Sequence, residues 1–290
     1  MNKILIKNTS NFHYECIESV IIKHKQFFKL EGKTELFLWL HPLADSTFIN
    51  YIKNKYENIK FVNKEIDFDY YINCTIYDHD FDQLSLDKNK KYIAHEISDR
   101  LKTNPNVHYL TPLAGQNFFR ADYLPFCDKK EKSKPIYIIQ GNLNGSGSNR
   151  RNLSLLINIL EDTYEYNFTI KLVGKGVLPL ELKPYKDKIL LKNNLNFIDY
   201  HKEFLNVWCI LPLITKESHP QYYTKKLTST INYSTGYNIK AIIDEDLQKI
   251  YKLKNAEVFK KNIVPAFKNT LEEYYKKHIH NETYIKSNIF

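Results

Sequence analysis

The sequence predicts an α/β protein of two parallel-sheet domains followed by a helical tail, and three observations carry the prediction. The chain has 290 residues, about twice the size of one ordinary domain, so two domains with separate cores are expected. Short apolar runs alternate with amphipathic stretches, the pattern of parallel βαβ units whose sheets are covered on both faces. Near the middle, the charged run Lys129-Lys130-Glu131-Lys132-Ser133-Lys134-Pro135 ends in proline and reads as a linker. The expected partition is residues 1–130, residues 131–262 and a tail at 263–290.

The elements follow in order. Ile4–Ile6 reads as the first strand: its apolar stretch ends at Lys7, and no signal-peptide core or cleavage site follows. Tyr14–Phe28 reads as a helix, Glu35–Leu40 as a strand and Thr47–Tyr56 as a helix. Ile59–Val62, Tyr70–Ile76, Tyr92–His95 and Asn106–Leu113 read as further strands. After the linker the alternation is clearer. Strands are expected at Ile136–Gln140, Phe168–Val173, Ile189–Leu191, Val207–Leu213 and Lys240–Ile243. Helices are expected at Asn152–Glu161, near Leu178–Leu182, at Tyr200–Leu205 and at Tyr222–Tyr233. The last ~40 residues show no strand pattern, and Val264, Phe267, Leu271 and Tyr274 recur at helical spacing.

Composition excludes several classes. With 43% hydrophobic and 14% aromatic residues, the chain is too apolar for intrinsic disorder. No run reaches 18 apolar residues, so no membrane span is expected. Cys16, Cys74, Cys127 and Cys209 form no CxxC pair, which argues against a zinc site or a disulfide framework and for a reducing, cytoplasmic setting. The formal charge is +9, but arginine occurs only at 100, 120, 150 and 151. Nucleic-acid surfaces favour the bidentate arginine fork, and a lysine excess shared with Asn, Ile and Tyr reflects AT-rich codons. Residues 1–130 hold 18 basic and 17 acidic residues, and residues 131–290 hold 24 and 16. The positive field therefore belongs to the second half.

Glycine is scarce, and its placement is informative. Three of eight, Gly141, Gly145 and Gly147, lie within seven residues, between the strand ending at Gln140 and the helix starting near Asn152. A strand, a glycine loop and a helix start together expose backbone N–H groups and the positive end of a helix dipole, which suits a phosphate. Arg150 and Arg151 stand at that helix start, where positive charge opposes the dipole and an anionic ligand would account for it. The pattern is neither a Walker A loop nor GxGxxG, and a plain surface turn is the competing reading. Gly174-Lys175-Gly176 follows a strand at the same edge and reads as a turn. Leu213–Thr230 leads from a buried strand into a helix, with Lys225 and Lys226 beside Thr228 and Ser229, a set able to hold a diphosphate. A solvated lysine pair is the alternative. In the first half, His95-Glu96 ends a strand, where a lone histidine is more often structural. Asp78-His79-Asp80 reads as a loop, and His278 and His280 as surface, so no metal ligands are assigned.

These residues resemble the donor-binding domain of GT-B-fold glycosyltransferases, the retaining group 1 or family-four enzymes. The resemblance spans about 135–245: Ile136–Gly141 leading to Arg150-Arg151-Asn152, the strand and turn Thr169–Gly176, the step Leu195–His201, the strand Val207–Pro212 and the turn Lys216–Ser229. The run YYTKKLTSTINY is also similar to sugar transferases encoded by large DNA viruses. The family's paired-glutamate motif is absent, and Lys225-Lys226-Leu227-Thr228-Ser229 stands in its place.

The resemblance implies two Rossmann-like domains with a cleft between them, the first on the acceptor side and the second binding a nucleotide-sugar. It also implies a C-terminal helix returning to the first domain. The implied reaction transfers a sugar from a nucleotide-sugar to an acceptor hydroxyl of a glycan, lipid or protein, without metal or other cofactor. By resemblance His95, Arg151 and Lys226 are the catalytic set, and Gly141, Asn142, Arg150, Gly174, Phe197, Glu217, Thr228 and Ser229 bind the donor. Three alternatives remain: a basic α/β protein binding nucleic acid or another polyanion, a GT-B-like pseudoenzyme, or an epimerase sharing the plan. Nucleic acid is the least expected partner.

Overall fold

The computed structural model describes residues 1–64, 67–121, 134–143 and 151–278. Residues 129–133 of the expected linker 129–135, together with Cys127, Gly145, Gly147, Arg150 and His280, lie outside the described residues. The chain divides into two compact units, Met1–Tyr123 with Thr224–Leu227, and Leu124–Tyr223 with Thr228–Phe290.

The first unit contains β1 (Asn2–Asn8), α1 (Tyr14–Phe28), β2 (Thr34–Leu40), α2 (Ser46–Lys55), β3 (Ile59–Phe61), β4 (Tyr70–Ile76), β5 (Lys90–Ala94) and β6 (Val107–Tyr109). They form one parallel sheet in the order β3-β2-β1-β4-β5-β6. Central β1 buries Ile4, Leu5 and Ile6 almost completely, as a strand covered on both faces must. The spacing of Cys16, Ile17, Val20 and Ile21 places one face of α1 in the core, and Phe48 and Ile52 do the same for α2. Buried Glu18 ties the two helices, accepting from the Tyr51 hydroxyl at 2.7 Å, Lys55 Nζ at 2.8 Å and the Tyr56 hydroxyl at 3.0 Å.

The second unit contains β7 (Ile136–Asn142), α3 (Leu153–Asp162), β8 (Thr169–Lys175), β9 (Ile189–Asn193), α4 (Phe197–Lys202), β10 (Cys209–Ile210), α5 (Gln221–Thr224), α6 (Ser229–Gly236), β11 (Lys240–Asp244), α7 (Glu245–Tyr251), β12 (Ala256–Phe259) and α8 (Val264–His278). Its parallel sheet runs β12-β11-β10-β7-β8-β9, the same winding as the first. Each sheet has a point where the strand order reverses: β1 beside β4, and β7 beside β10. In doubly wound sheets ligands bind outside the carboxyl ends of those strands.

Three expectations change. The strand Val207–Leu213 keeps strand geometry only over Cys209–Ile210, although its residues are mostly buried; the flanking Trp208 and Leu211 N–H groups donate to Ile136 O and Ile138 O of β7 at 2.8 Å. The helix Tyr222–Tyr233 is two helices, because Thr224–Leu227 leaves it to join the first unit. There the Ile97 N–H donates to Lys225 O at 2.8 Å and Lys226 forms an antiparallel bridge with Glu96. The tail region holds one more strand, β12, a short edge strand whose half-exposed AEVF lacks an apolar run. Helix α8 buries Phe267 and Leu271 in the second unit's core. Phe267 packs against Tyr137, ring centroids 4.2 Å apart, and Trp208 Nε1 donates to Thr270 O at 2.9 Å. Among the described residues no helix is long and apolar enough to cross a membrane.

Candidate functional site

In the second unit, the site grows from the carboxyl end of β7. Gln140, 4% exposed, donates from Nε2 to Ser229 Oγ at 2.9 Å and Thr230 Oγ1 at 2.8 Å, and its Oε1 accepts from the Tyr200 hydroxyl at 3.0 Å. Arg151 then lies along the strand end, Nε donating to Gln140 O at 2.9 Å and Nη2 to Thr230 Oγ1 at 3.0 Å. Its other neighbours are the tyrosines Tyr222 and Tyr200, and burial pulls its pKa down. Among the described residues no carboxylate pairs with this guanidinium. A partly buried cation held by neutral acceptors lacks the counter-ion that burial ordinarily demands.

The surroundings suit an anion. The N-cap residues of α3 and α6, Asn152 and Thr228, make no side-chain cap to their own helices. Helix-start N–H groups are left for another acceptor. Gly141 has φ +140°, and a Cβ there would meet Arg151 Nε at 3.1 Å, so glycine makes room for the guanidinium. Gly174 serves the strand pair: a Cβ there would stand 1.7 Å from Gly141 O. Of the other expected donor contacts, Asn142 and Glu217 are exposed, Phe197 is buried against His201 at 4.4 Å, and Thr228 is buried, its Oγ1 donating to Thr230 Oγ1 at 3.3 Å. Ser229 joins the Gln140 network. Arg150 is not among the described residues. Lys226 belongs to the first unit, 3.7 Å from Glu96.

In the first unit a second cluster forms where the strand order reverses. His13 follows β1 and Tyr77 follows β4. The connecting loop is held by buried Asn8, which accepts from Thr75 Oγ1 at 2.6 Å and donates to Ser10 O and Phe12 O. His13 sits in the left-handed region, φ 65° and ψ 39°, at the start of α1. Such backbone in a residue other than glycine is uncommon and gathers at functional sites. Its Nδ1 stands 3.4 Å from Oε1 of buried Glu15, and its Nε2 3.3 Å from the Tyr77 hydroxyl. His95 lies against it, ring centroids 3.6 Å apart.

His95 itself is 6% exposed, and its Nε2 has no hydrogen-bond partner among the described residues, while the ring bonds the Cys74 backbone. Burial first, and the neighbouring His13 second, push its pKa down to about 3. It is therefore neutral at pH 7, and His13, with a side chain 26% exposed, is the ring that reaches solvent. Sequence reasoning found His95 but missed His13, Glu15 and Tyr77. The available signal was His13-Tyr14-Glu15 directly after the first strand, at the sheet edge where ligands bind.

No protein-family model matches this sequence, and no curated protein matches it. Solved structures do. AviGT4, a glycosyltransferase involved in avilamycin A biosynthesis, is similar with a TM-score of 0.54 at 10% identity, over 94% of this chain and 88% of that one. The E. coli heptosyltransferase WaaC with ADP gives 0.47 at 9% identity, covering 94% and 99%. The S. aureus MnaA–UDP structure gives 0.47 at 11% identity, covering 98% and 89%. Identities this low speak to fold alone. The likeness to AviGT4, with two six-stranded parallel sheets of the same winding, identifies the fold as the two Rossmann-like domains of GT-B glycosyltransferases.

Proposed function

We propose that the protein is a glycosyltransferase that moves a sugar from a nucleotide-sugar to an acceptor hydroxyl. The observation that carries this reading is Arg151, a partly buried guanidinium at the carboxyl end of β7 that has no carboxylate partner among the described residues. A diphosphate supplies the missing negative charge. Arg151 then stabilises charge developing on the leaving nucleoside diphosphate, the role a metal ion fills in metal-dependent transfer, and the starts of α3 and α6 add backbone donors. Replacing Arg151 with Ala should cost about 2–4 kcal/mol of transition-state stabilisation.

On the acceptor side the reading moves from His95 to His13. Resemblance implies retention, by front-face attack without a protein nucleophile. The His13–Glu15 pair favours a second course. With Nδ1–H directed at the Glu15 carboxylate, His13 Nε2 carries the lone pair that takes the acceptor's proton, the acceptor hydroxyl replacing that of Tyr77 at 3.3 Å, the arrangement of an oriented general base. Base-assisted in-line displacement inverts the anomeric centre. Incubation with UDP-, GDP- and ADP-sugars and CMP-sialic acid, with and without simple glycoside acceptors, tests the proposal. Sugar-dependent release of nucleotide, lost in Arg151→Ala, is expected. Absence of release from every donor, or full activity in the variant, would refute it. The anomer formed distinguishes the two stereochemical courses, and the inverting course requires that His13→Gln lower kcat more than KM rises.

A further inference from the structure

We propose that His13, Glu15 and His95 form a binding site for one divalent transition-metal ion of the zinc type. Each residue offers one donor atom, and the three atoms lie within 4.8 Å of one another. Two imidazoles and a carboxylate, with a fourth position left for water, is a donor set that suits zinc. In a tetrahedral zinc site with bonds of about 2.0–2.2 Å, neighbouring ligand atoms stand about 3.3–3.6 Å apart. His13 Nδ1 and Glu15 Oε1 are already 3.4 Å apart.

The second, independent observation is His95 Nε2. It is a buried nitrogen without a hydrogen-bond partner among the described residues, on a ring 6% exposed and packed against His13 at an interplanar angle of 33°. Buried polar atoms are nearly always satisfied, so an orphan of this kind calls for an explanation. Outer contacts match as well. Histidines that bind metal usually engage their second ring nitrogen with a carbonyl, carboxylate or other polar group. Here the His95 ring bonds the Cys74 backbone, and His13 Nε2 meets the Tyr77 hydroxyl at 3.3 Å. The partly exposed face of His13 gives the ion a way in.

Sequence spacing could not show this group, because β1 and β5 bring His13 and His95 together across more than eighty residues. Coordination through Nδ1 leaves the proton of His13 on Nε2, the tautomer opposite to the one a base oriented by Glu15 uses. The metal and the proton-accepting role therefore exclude each other. The binding itself is independent of the transferase reading, since its test contains neither donor nor acceptor.

The test titrates chelator-stripped full-length protein with Co²⁺, followed by visible d–d absorption, and then displaces it with Zn²⁺. One saturable equivalent with a low-symmetry spectrum is expected. His95→Gln and His13→Gln should each weaken binding more than about tenfold, while His278→Gln, in the other unit, binds as wild type. Circular dichroism confirms that each variant is folded. His13 is partly exposed, so its variant keeps the test informative should His95→Gln unfold. No saturable binding, or unchanged binding in a folded His13→Gln protein, would overturn the proposal.

Discussion

Gly174 faces Gly141 across β7 and β8 with no room for a methyl group: a Cβ on Gly174 would stand 1.7 Å from the Gly141 carbonyl oxygen. Gly141 in turn carries Arg151 against it, so the spacing of two strands sets where the guanidinium lies.

Gly174→Ala should therefore destabilise the second unit by about 2–3 kcal/mol, because strand backbone and not a flexible side chain must move. Urea denaturation measures this. An alanine variant as stable as wild type would show that β7 and β8 are not held as described.

A pH effect follows from the buried histidines. Burial pushes His95 down to about 3 and His108 down to about 4, from an ordinary 6.5. The unfolded chain takes up these protons near pH 6.5 and the folded protein does not, so stability falls as pH drops from 6.5 toward 4. His95 alone contributes a slope of about 1.4 kcal/mol per pH unit, or about 2 kcal/mol between pH 6.5 and 5. His95→Gln should flatten the stability curve by that amount, measured by urea unfolding in the presence of a chelator. An unchanged slope would mean that His95 is charged in the fold.

Phe267→Ala tests the place of α8. The ring is fully buried between Tyr137, at 4.2 Å, and Phe168, at 5.2 Å. Its loss should cost about 3–5 kcal/mol, visible as a lowered denaturation midpoint of the second unit. A loss below about 1 kcal/mol would mean that the helix is peripheral to that core.

Legibility in the sequence followed physical cause. Strand β4 and helix α1 were read to the residue, because Tyr70–Ile76 is a bounded apolar run and Tyr14–Phe28 keeps its apolar positions at helical spacing. Strand β12 was not read, since AEVF is short and lies half-exposed at an edge. Neither was the break after Thr224: Lys225-Lys226-Leu227 contains no glycine or proline, and it leaves helical geometry to pair with Glu96 and Ile97. The same division holds for the site. Arg151 was found because glycine and arginine cluster locally beside it. His13, Glu15, Tyr77 and His95 are joined only by the parallel winding of β1, β4 and β5, so no local pattern links them.

The most direct test of the central claim is calorimetric binding of UDP, GDP and ADP to the wild type and to Arg151→Gln. At least one diphosphate should bind the wild type, and the variant should bind it about 10- to 100-fold more weakly, the worth of a charged hydrogen bond of about 1.5–3 kcal/mol. Equal affinity in a folded variant, or no binding of any nucleotide to the wild type, would contradict the account.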